Sequence, residues 1–335
     1  MALTILSGAQ TLRRRGRLAA AAIALALFAA AGLYLVWGGD GSPQFVEYPM
    51  LEPEDMPIGI AAAADGTVWF SIDGADAIGR VRDGQLERLP KPGKNLEPLG
   101  IAVAPDGSAW YTDIAAHAVS RMTPAGEVRS FPLDTPIVRL GRLAVAPDGA
   151  AWFAEPIGRS ISRLKDGELT RYTFGSPLGG PYGVAVAADG AVWATLQAAN
   201  QLLRIGPDGT VKALNLPRPA AVPTDIATGP DGTVWFIQFR GNSIGRLQDG
   251  KFVEFAVAQE NAGLTGLAVA DDGAVWFGML RAGSLGRLRA GEVKTFKLPR
   301  DDARPYSVAV DRDGNVWYAD IRGYVGMLPA RYARQ

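Results

Sequence analysis

The sequence predicts an all-β protein: a seven-bladed β-propeller of four-stranded blades, its last blade closed by an N-terminal strand and its ring preceded by one transmembrane helix. Three observations carry this expectation. One unit recurs seven times with its tryptophan at positions 69, 110, 152, 193, 235, 276 and 317, spaced 41 or 42 residues apart. The seventh unit stops before its fourth strand. An uncharged stretch of 20 residues follows a cluster of arginines near the N-terminus. Composition agrees: Gly (41) and Pro (23) are too frequent for a helical bundle, and 48% hydrophobic residues are too many for a disordered chain.

The elements follow in chain order. Residues 1–17 form a basic tail with Arg13, Arg14, Arg15 and Arg17, which the positive-inside rule keeps in the cytoplasm. Residues 18–37 carry no charge, and at about 1.5 Å per residue they match a hydrocarbon core of about 30 Å. They read as a signal-anchor, with Tyr34 and Trp37 at the far interface. Ala29-Ala30-Ala31 supplies the small residues of a cleavage site, so the rival reading is a cleaved signal peptide and a secreted product. Either way the body lies outside the cytoplasm, on the periplasmic side. Residues 38–43 are a linker, 44–328 the propeller and 329–335 a C-terminal tail.

Within each unit an Asp-Gly pair begins four residues before the tryptophan, as at Asp65, Asp106, Asp148, Asp189, Asp231, Asp272 and Asp313. A β-prone run such as Gly183-Val-Ala-Val-Ala187 precedes the pair and a Val-Trp-Phe type run follows it. Asp-Gly between two such runs signals a hairpin whose two turn residues both take φ > 0. A third run (Ile78-Gly-Arg-Val81, Ile161-Ser-Arg-Leu164), a second X-Gly pair (Asp83-Gly84, Asp166-Gly167, Asp249-Gly250) and a fourth run (Phe252-Val-Glu-Phe255) complete the unit. The seventh unit ends with its third run, Tyr324-Val-Gly-Met-Leu328. Phe45-Val-Glu-Tyr-Pro49 resembles the fourth run Val128-Arg-Ser-Phe-Pro132 and is expected to fill the gap. That closes the ring and removes its edges. The strict recurrence of the tryptophans predicts packing between blades, each burial worth about 4–6 kcal/mol as an upper bound. The recurring arginines 80, 121, 163, 204, 246 and 287, replaced by Met327 in the last blade, are expected to be repeated blade contacts.

Several chemistries are excluded. Without cysteine there is no disulfide framework, thiol nucleophile or zinc-thiolate site. One histidine rules out any mechanism that needs two imidazoles. Thirty-four basic against 34 acidic residues give no electrostatic case for nucleic acid. Asp311-Arg-Asp-Gly-Asn315 faintly resembles a calcium loop, yet every unit has Asp-Gly there, so it reads as a turn and no metal site is expected. No P-loop is present, and no G-x-S-x-G or G-x-G-x-x-G sits in a βαβ setting.

The unit P-x-G-I…D-G-x-V-W-F…I-G-R-L…G-x-V-x-x-F-x-L-P, clear in Pro57-Ile-Gly-Ile60 to Pro90 and from Pro223 to Phe255, resembles the virginiamycin B lyase family over residues 44–328. The resemblance implies a seven-bladed propeller and the opening of cyclic streptogramin depsipeptides by magnesium-assisted elimination. In that family, histidines take the second position of the P-x-G-I opening in the last two repeats, and a glutamate near the end of the last W-F strand assists them. Here the histidine positions hold Thr265 and Tyr306, and the glutamate falls at or beside Asp320. His117, between the second and third strands of blade two, is too far along the chain to replace them and reads as a surface or capping residue.

Aligning the repeats on their tryptophans gives three rings on one face of the propeller. The opening ring is Ile58, Leu99, Gly141, Tyr182, Thr224, Thr265 and Tyr306. The next is Gly59, Gly100, Arg142, Gly183, Asp225, Gly266 and Ser307, glycine recurring because the innermost strands crowd. Three residues past each tryptophan come Ile72, Asp113, Glu155, Leu196, Gln238, Met279 and Asp320. Two readings follow: a polar funnel-mouth binding site of Arg142, Asp113, Glu155, Tyr182, Asp225, Gln238, Tyr306 and Asp320, or an internal ion-pair network with Arg142 between Asp113 and Glu155. For function the expectation is a membrane-tethered binding module, its partner a small ligand or an extracytoplasmic protein, with no evident cofactor. The alternative is an active lyase or lactone hydrolase with Asp320 and Tyr306 as base and acid, needing Mg2+ only if the lyase chemistry is retained.

Overall fold

Antiparallel pairing of adjacent runs produces the blades. The computed structural model describes residues 34–35, 44–94, 98–134, 139–175 and 179–335. Blade one pairs Met56–Ala62, Val68–Asp73, Ala77–Arg82 and Gln85–Pro90 in order. Blades two to six repeat this meander from first strands at Ile101–Val103, Leu143–Val145, Pro181–Val186, Pro223–Thr228 and Leu264–Val269. Blade seven has Pro305–Val310, Val316–Asp320 and Tyr324–Leu328, and Val46–Pro49 is its fourth strand. Each first strand packs on the first strands of its two neighbours, and Pro305–Val310 meets Met56–Ala62. The ring is closed, as the sequence predicts.

The two hairpins of a blade differ from expectation in an instructive way. At Asp83-Gly84, Asp166-Gly167 and Asp249-Gly250 both residues have positive φ (49° and 73°, 53° and 90°, 50° and 74°), the two-residue turn that matches strand twist. At the Asp-Gly pair before each tryptophan only the glycine is left-handed. There the aspartate accepts the N–H two residues on, as in Thr67 N to Asp65 Oδ1 at 2.9 Å, making a longer Asx-type turn. In blade seven Asp311 does this work, accepting the N–H groups of Asp313 (3.0 Å) and Asn315 (2.9 Å) and the Trp317 indole (2.8 Å). Those oxygens are occupied as a turn requires.

The tryptophans are core residues between blades. Trp152 of blade three packs with Val184, Val192 and Ala194 of blade four, and Trp276 with Val308 and Tyr318 of blade seven. A fourth-strand aromatic covers several of them, as Phe131 covers Trp110 (centroids 5.3 Å) and Tyr48 covers Trp317 (6.0 Å). The recurring arginines lie over the same rings, from Arg80 on Trp69 at 5.4 Å to Arg121 on Trp110 at 6.0 Å. The C-terminal residues are not a loose tail. Ala330–Ala333 form one helical turn whose Ala333 carbonyl accepts from Arg287, much as the Pro124 carbonyl of a blade-two turn accepts from Arg80 at 2.6 Å.

Closure is locked by buried chemistry. Val46 pairs with Met327 and Pro49 with Tyr324, while Phe45 meets the Tyr318 ring edge-on at 6.1 Å. Buried Glu47 accepts from the Tyr318 hydroxyl at 2.8 Å and from Arg300 Nε at 3.1 Å. Burial first, and then Glu47, push the Tyr318 phenol far up, so it stays protonated and donates. Beyond Val46–Pro49 a further two-residue strand, Tyr34–Leu35, pairs on the outer edge, with Tyr34 opposite Glu47. These two residues were expected at the end of the transmembrane helix. The free N–H and C=O groups of the closing strand offer them a ladder instead. The rest of 18–37 lies outside the described residues, and no helix among those is long and apolar enough to cross a membrane.

Deleting residues 44–50 is expected to cause aggregation or a large fall in melting temperature, seen by light scattering and calorimetry, because opening one blade exposes edges on both sides. Substituting the Val293–Pro299 sequence there restores folding. A milder probe is Tyr318→Phe, which leaves one Glu47 oxygen short of a donor and costs about 1–3 kcal/mol in urea unfolding.

Candidate functional site

A bulge shapes the inner end of most blades. The first and second strands slip register between Pro57 and Ile60, Pro181 and Val184, Pro223 and Ile226, Thr265 and Leu267, and Pro305 and Ser307. Bulges re-aim side chains, and these coincide with the two inner rings. The second ring is mostly glycine because a Cβ would strike the next blade. On Gly183 it would lie 2.6 Å from the Thr224 carbonyl oxygen, and on Gly266 2.6 Å from Ser307 Cα. In blade three the tight place belongs to Gly141, whose Cβ would lie 2.6 Å from the Tyr182 carbonyl oxygen. The next position is thereby free for Arg142.

The three second-ring positions that are not glycine come from blades three, five and seven, and they meet. Arg142 Nε lies 3.2 Å from Asp225 Oδ1, and Arg142 Nη1 donates to Ser307 Oγ at 3.4 Å. Asp225 is fixed by backbone: Oδ1 accepts from Ile226 N at 3.1 Å and Oδ2 from Leu267 N of blade six at 2.9 Å. The Arg142 side chain is only 13% exposed. Burial opposes its charge, but Asp225, with Tyr182 and Tyr306, more than offsets this and raises its pKa. Burial likewise raises the Tyr182 phenol against the pull of Arg142, with Tyr306 beside it. Arg142, Asp225, Tyr182, Tyr306 and Ser307 therefore form one cluster on the bore.

The other four expected site residues lie elsewhere. The network placing Arg142 between Asp113 and Glu155 is not formed. Those two carboxylates end second strands, one strand outward from the bore, and each takes a cation from a nearer element. Asp113 faces Lys91 Nζ at 3.3 Å, a lysine with a fully buried side chain that also donates to the Gly93 carbonyl at 2.7 Å. Glu155 accepts from Ser162 and from Arg171 Nε at 3.1 Å, and Arg171 reaches on to Asp134 at 2.6 Å. Gln238 donates to Ser243 Oγ at 3.1 Å. Asp320, 0% exposed, accepts from Arg300 Nη2 (2.6 Å), Arg304 N (3.0 Å) and Arg322 N (2.9 Å). Lys91, Arg171 and Arg300 were missed in the sequence because they sit on fourth strands or the loops after them, at no fixed offset from the tryptophan.

At the positions where the resemblance implies histidines, Thr265 Oγ1 donates to the Pro305 carbonyl at 2.8 Å and Tyr306 stands beside Arg142. This set does not suit magnesium, which wants oxygen ligands with free lone pairs. The Asp320 oxygens already hold three donors, and among the described residues no group of three or more histidines or carboxylates is arranged for a metal. His117 has φ of 50°, its N–H bonding the Ile114 carbonyl at 3.1 Å and its own carbonyl accepting from Leu133 at 2.8 Å. It ties a loop.

Comparison with known proteins places this geometry. The model of the virginiamycin B lyase family matches residues 40–165 and 92–330. The virginiamycin B lyase of Nocardia farcinica is 33% identical over 224 residues, 66% of this chain and 76% of that protein. A streptogramin B lyase structure superposes with a TM-score of 0.80 at 26% identity, covering 84% of this chain and 96% of that one. A catalytically inactive virginiamycin B lyase from Staphylococcus aureus with quinupristin gives a TM-score of 0.79 at 26% identity, over 84% and 98% of the two chains.

Buried Lys91 gives a test of these networks. Lys91→Met leaves Asp113 charged without its partner and is expected to cost about 3–5 kcal/mol in denaturant unfolding. Lys91→Met with Asp113→Leu recovers most of that loss.

Proposed function

The chain belongs to the virginiamycin B lyase family, and we propose that it is an exported, membrane-anchored member that binds a small ligand or an extracytoplasmic protein at its funnel mouth without the family's elimination chemistry. The observation that carries this reading is the pair Thr265 and Tyr306 at the positions of the family's histidines. Proton abstraction at neutral pH needs a base that titrates near neutrality. A threonine hydroxyl and a phenol do not, and Asp320 is held by Arg300 and two backbone N–H groups. Arg142, Asp225, Tyr182, Tyr306 and Ser307 remain as a polar cluster on the bore.

The residues before the propeller support anchoring with the mouth left free. Val46 pairs with Met327 at the end of the third strand, so the closing strand begins at the face opposite the mouth. Tyr34–Leu35 then pair along the outer edge of blade seven, so a tether joined before Tyr34 leaves from the rim, away from the bore. Fractionation of cells expressing the full chain should recover it in membranes, with protease added outside the cytoplasmic membrane reaching the propeller. Recovery as a shortened soluble product would instead support a cleaved signal peptide.

Kinship itself favours a second reading, turnover of a cyclic depsipeptide or lactone by Asp320 and Tyr306. The two separate cleanly. The full chain with magnesium and a streptogramin B depsipeptide should give no ring-opened product by mass spectrometry. Ring opening that Asp320→Asn abolishes would replace the binding reading with the catalytic one.

A further inference from the structure

We propose that the bore at the funnel mouth is a binding site for a monoanionic carboxylate, received by the outward edge of the Arg142 guanidinium. The inference rests on the funnel-mouth reading and names its ligand chemistry.

The first observation is an unfilled guanidinium. Arginine carries five N–H donors in a planar fork, and buried donors are normally bonded. Arg142 Nε is buried without a hydrogen-bond partner, since Asp225 at 3.2 Å lies off its N–H direction. Its Nη1 has only the long 3.4 Å contact to Ser307, and among the described residues Nη2 has no partner. Asp225 cannot turn to take both η nitrogens, because the N–H groups of Ile226 and Leu267 fix its two oxygens. The cation is held on one side and open on the other, the disposition for a bidentate carboxylate.

The second observation is independent of Arg142. The Thr224 hydroxyl, in the opening ring beside Asp225, is also buried without a partner. Beside it, burial keeps the Tyr182 phenol protonated, so its hydroxyl, which pairs with the Tyr306 hydroxyl, donates to an oxyanion rather than repelling it.

Charge selects the class. Asp225 neutralises Arg142, so a phosphate or sulfate dianion would meet a net-neutral site with a fixed carboxylate in it, whereas a monoanion bonds the free edge of the guanidinium.

The test is ligand-observed NMR on the full chain in detergent, with four probes: acetate, benzoate, N-acetyl-glycyl-glycine and its C-terminal amide. Carboxylates are expected to bind and the amide not. Binding of acetate or benzoate assigns the source to free small acids, and binding of the acetylated peptide alone assigns it to a chain terminus. Asp225→Asn should tighten binding, since it removes the competing charge, and a merely structural pair would not predict that. Arg142→Gln alone leaves Asp225 unpaired and risks misfolding, so the control is the double variant Arg142→Gln/Asp225→Asn. It should fold and lose about ten- to a hundredfold in affinity, the value of charge-assisted hydrogen bonds. Failure of every carboxylate to bind, equal binding of the amide, or unchanged affinity in the double variant overturns the proposal. Depsipeptide turnover would overturn the binding-module reading instead, so the two failures are distinguishable.

Discussion

Everything in this molecule depends on closure of the ring. Each blade buries its apolar face only against the next, so seven blades have no stable end until the last meets the first. The chain achieves this by splitting blade seven between its two termini, with Val46–Pro49 beside Tyr324–Leu328. Apolar contact alone would tolerate slippage. Glu47, held in a buried position by Tyr318 and Arg300, fixes the register, because a shift of one residue would leave a carboxylate in the core without donors.

Closure in turn imposes crowding at the axis, which the sequence answers with glycine. Blades three, five and seven depart from that answer together. Arg142, Asp225 and Ser307 occupy the three exceptional positions and contact one another across the bore. A lone arginine there would carry the full cost of burying a charge. The neighbouring carboxylate, fixed by two backbone N–H groups, keeps the charge affordable and leaves part of the guanidinium unfilled. Site and fold are the same residues at this point.

Farther out, acidic or amide side chains at the ends of second strands hold the connecting segments in place. Lys91, Arg171 and Arg300 each bring a fourth strand or the loop after it onto such a group. Asp320 shows the consequence for chemistry. The position where relatives are expected to carry an assisting glutamate here anchors the loop around Arg300 and Arg304, and Arg300 also holds Glu47. Three donors on its two oxygens make this carboxylate the tie that holds the loop to the end of the second strand.

The sequence by itself determined the blade count, the strand order and the closing strand, because each follows from local periodicity: a tryptophan every 41 or 42 residues, alternating strands, turn pairs at fixed offsets and one strand missing at the end. It also singled out Arg142 and Asp225 as breaks in a glycine ring. It did not determine their partners. Asp113 and Glu155 are nearer Arg142 in sequence than Asp225 is, and sequence distance suggested the wrong pair. Only the curvature of the ring brings blade five and blade seven opposite blade three, and only the strand order puts Asp113 and Glu155 one strand outward. Periodicity fixes what one blade looks like. Which blades face each other across the bore is decided by closure, a property of all seven at once.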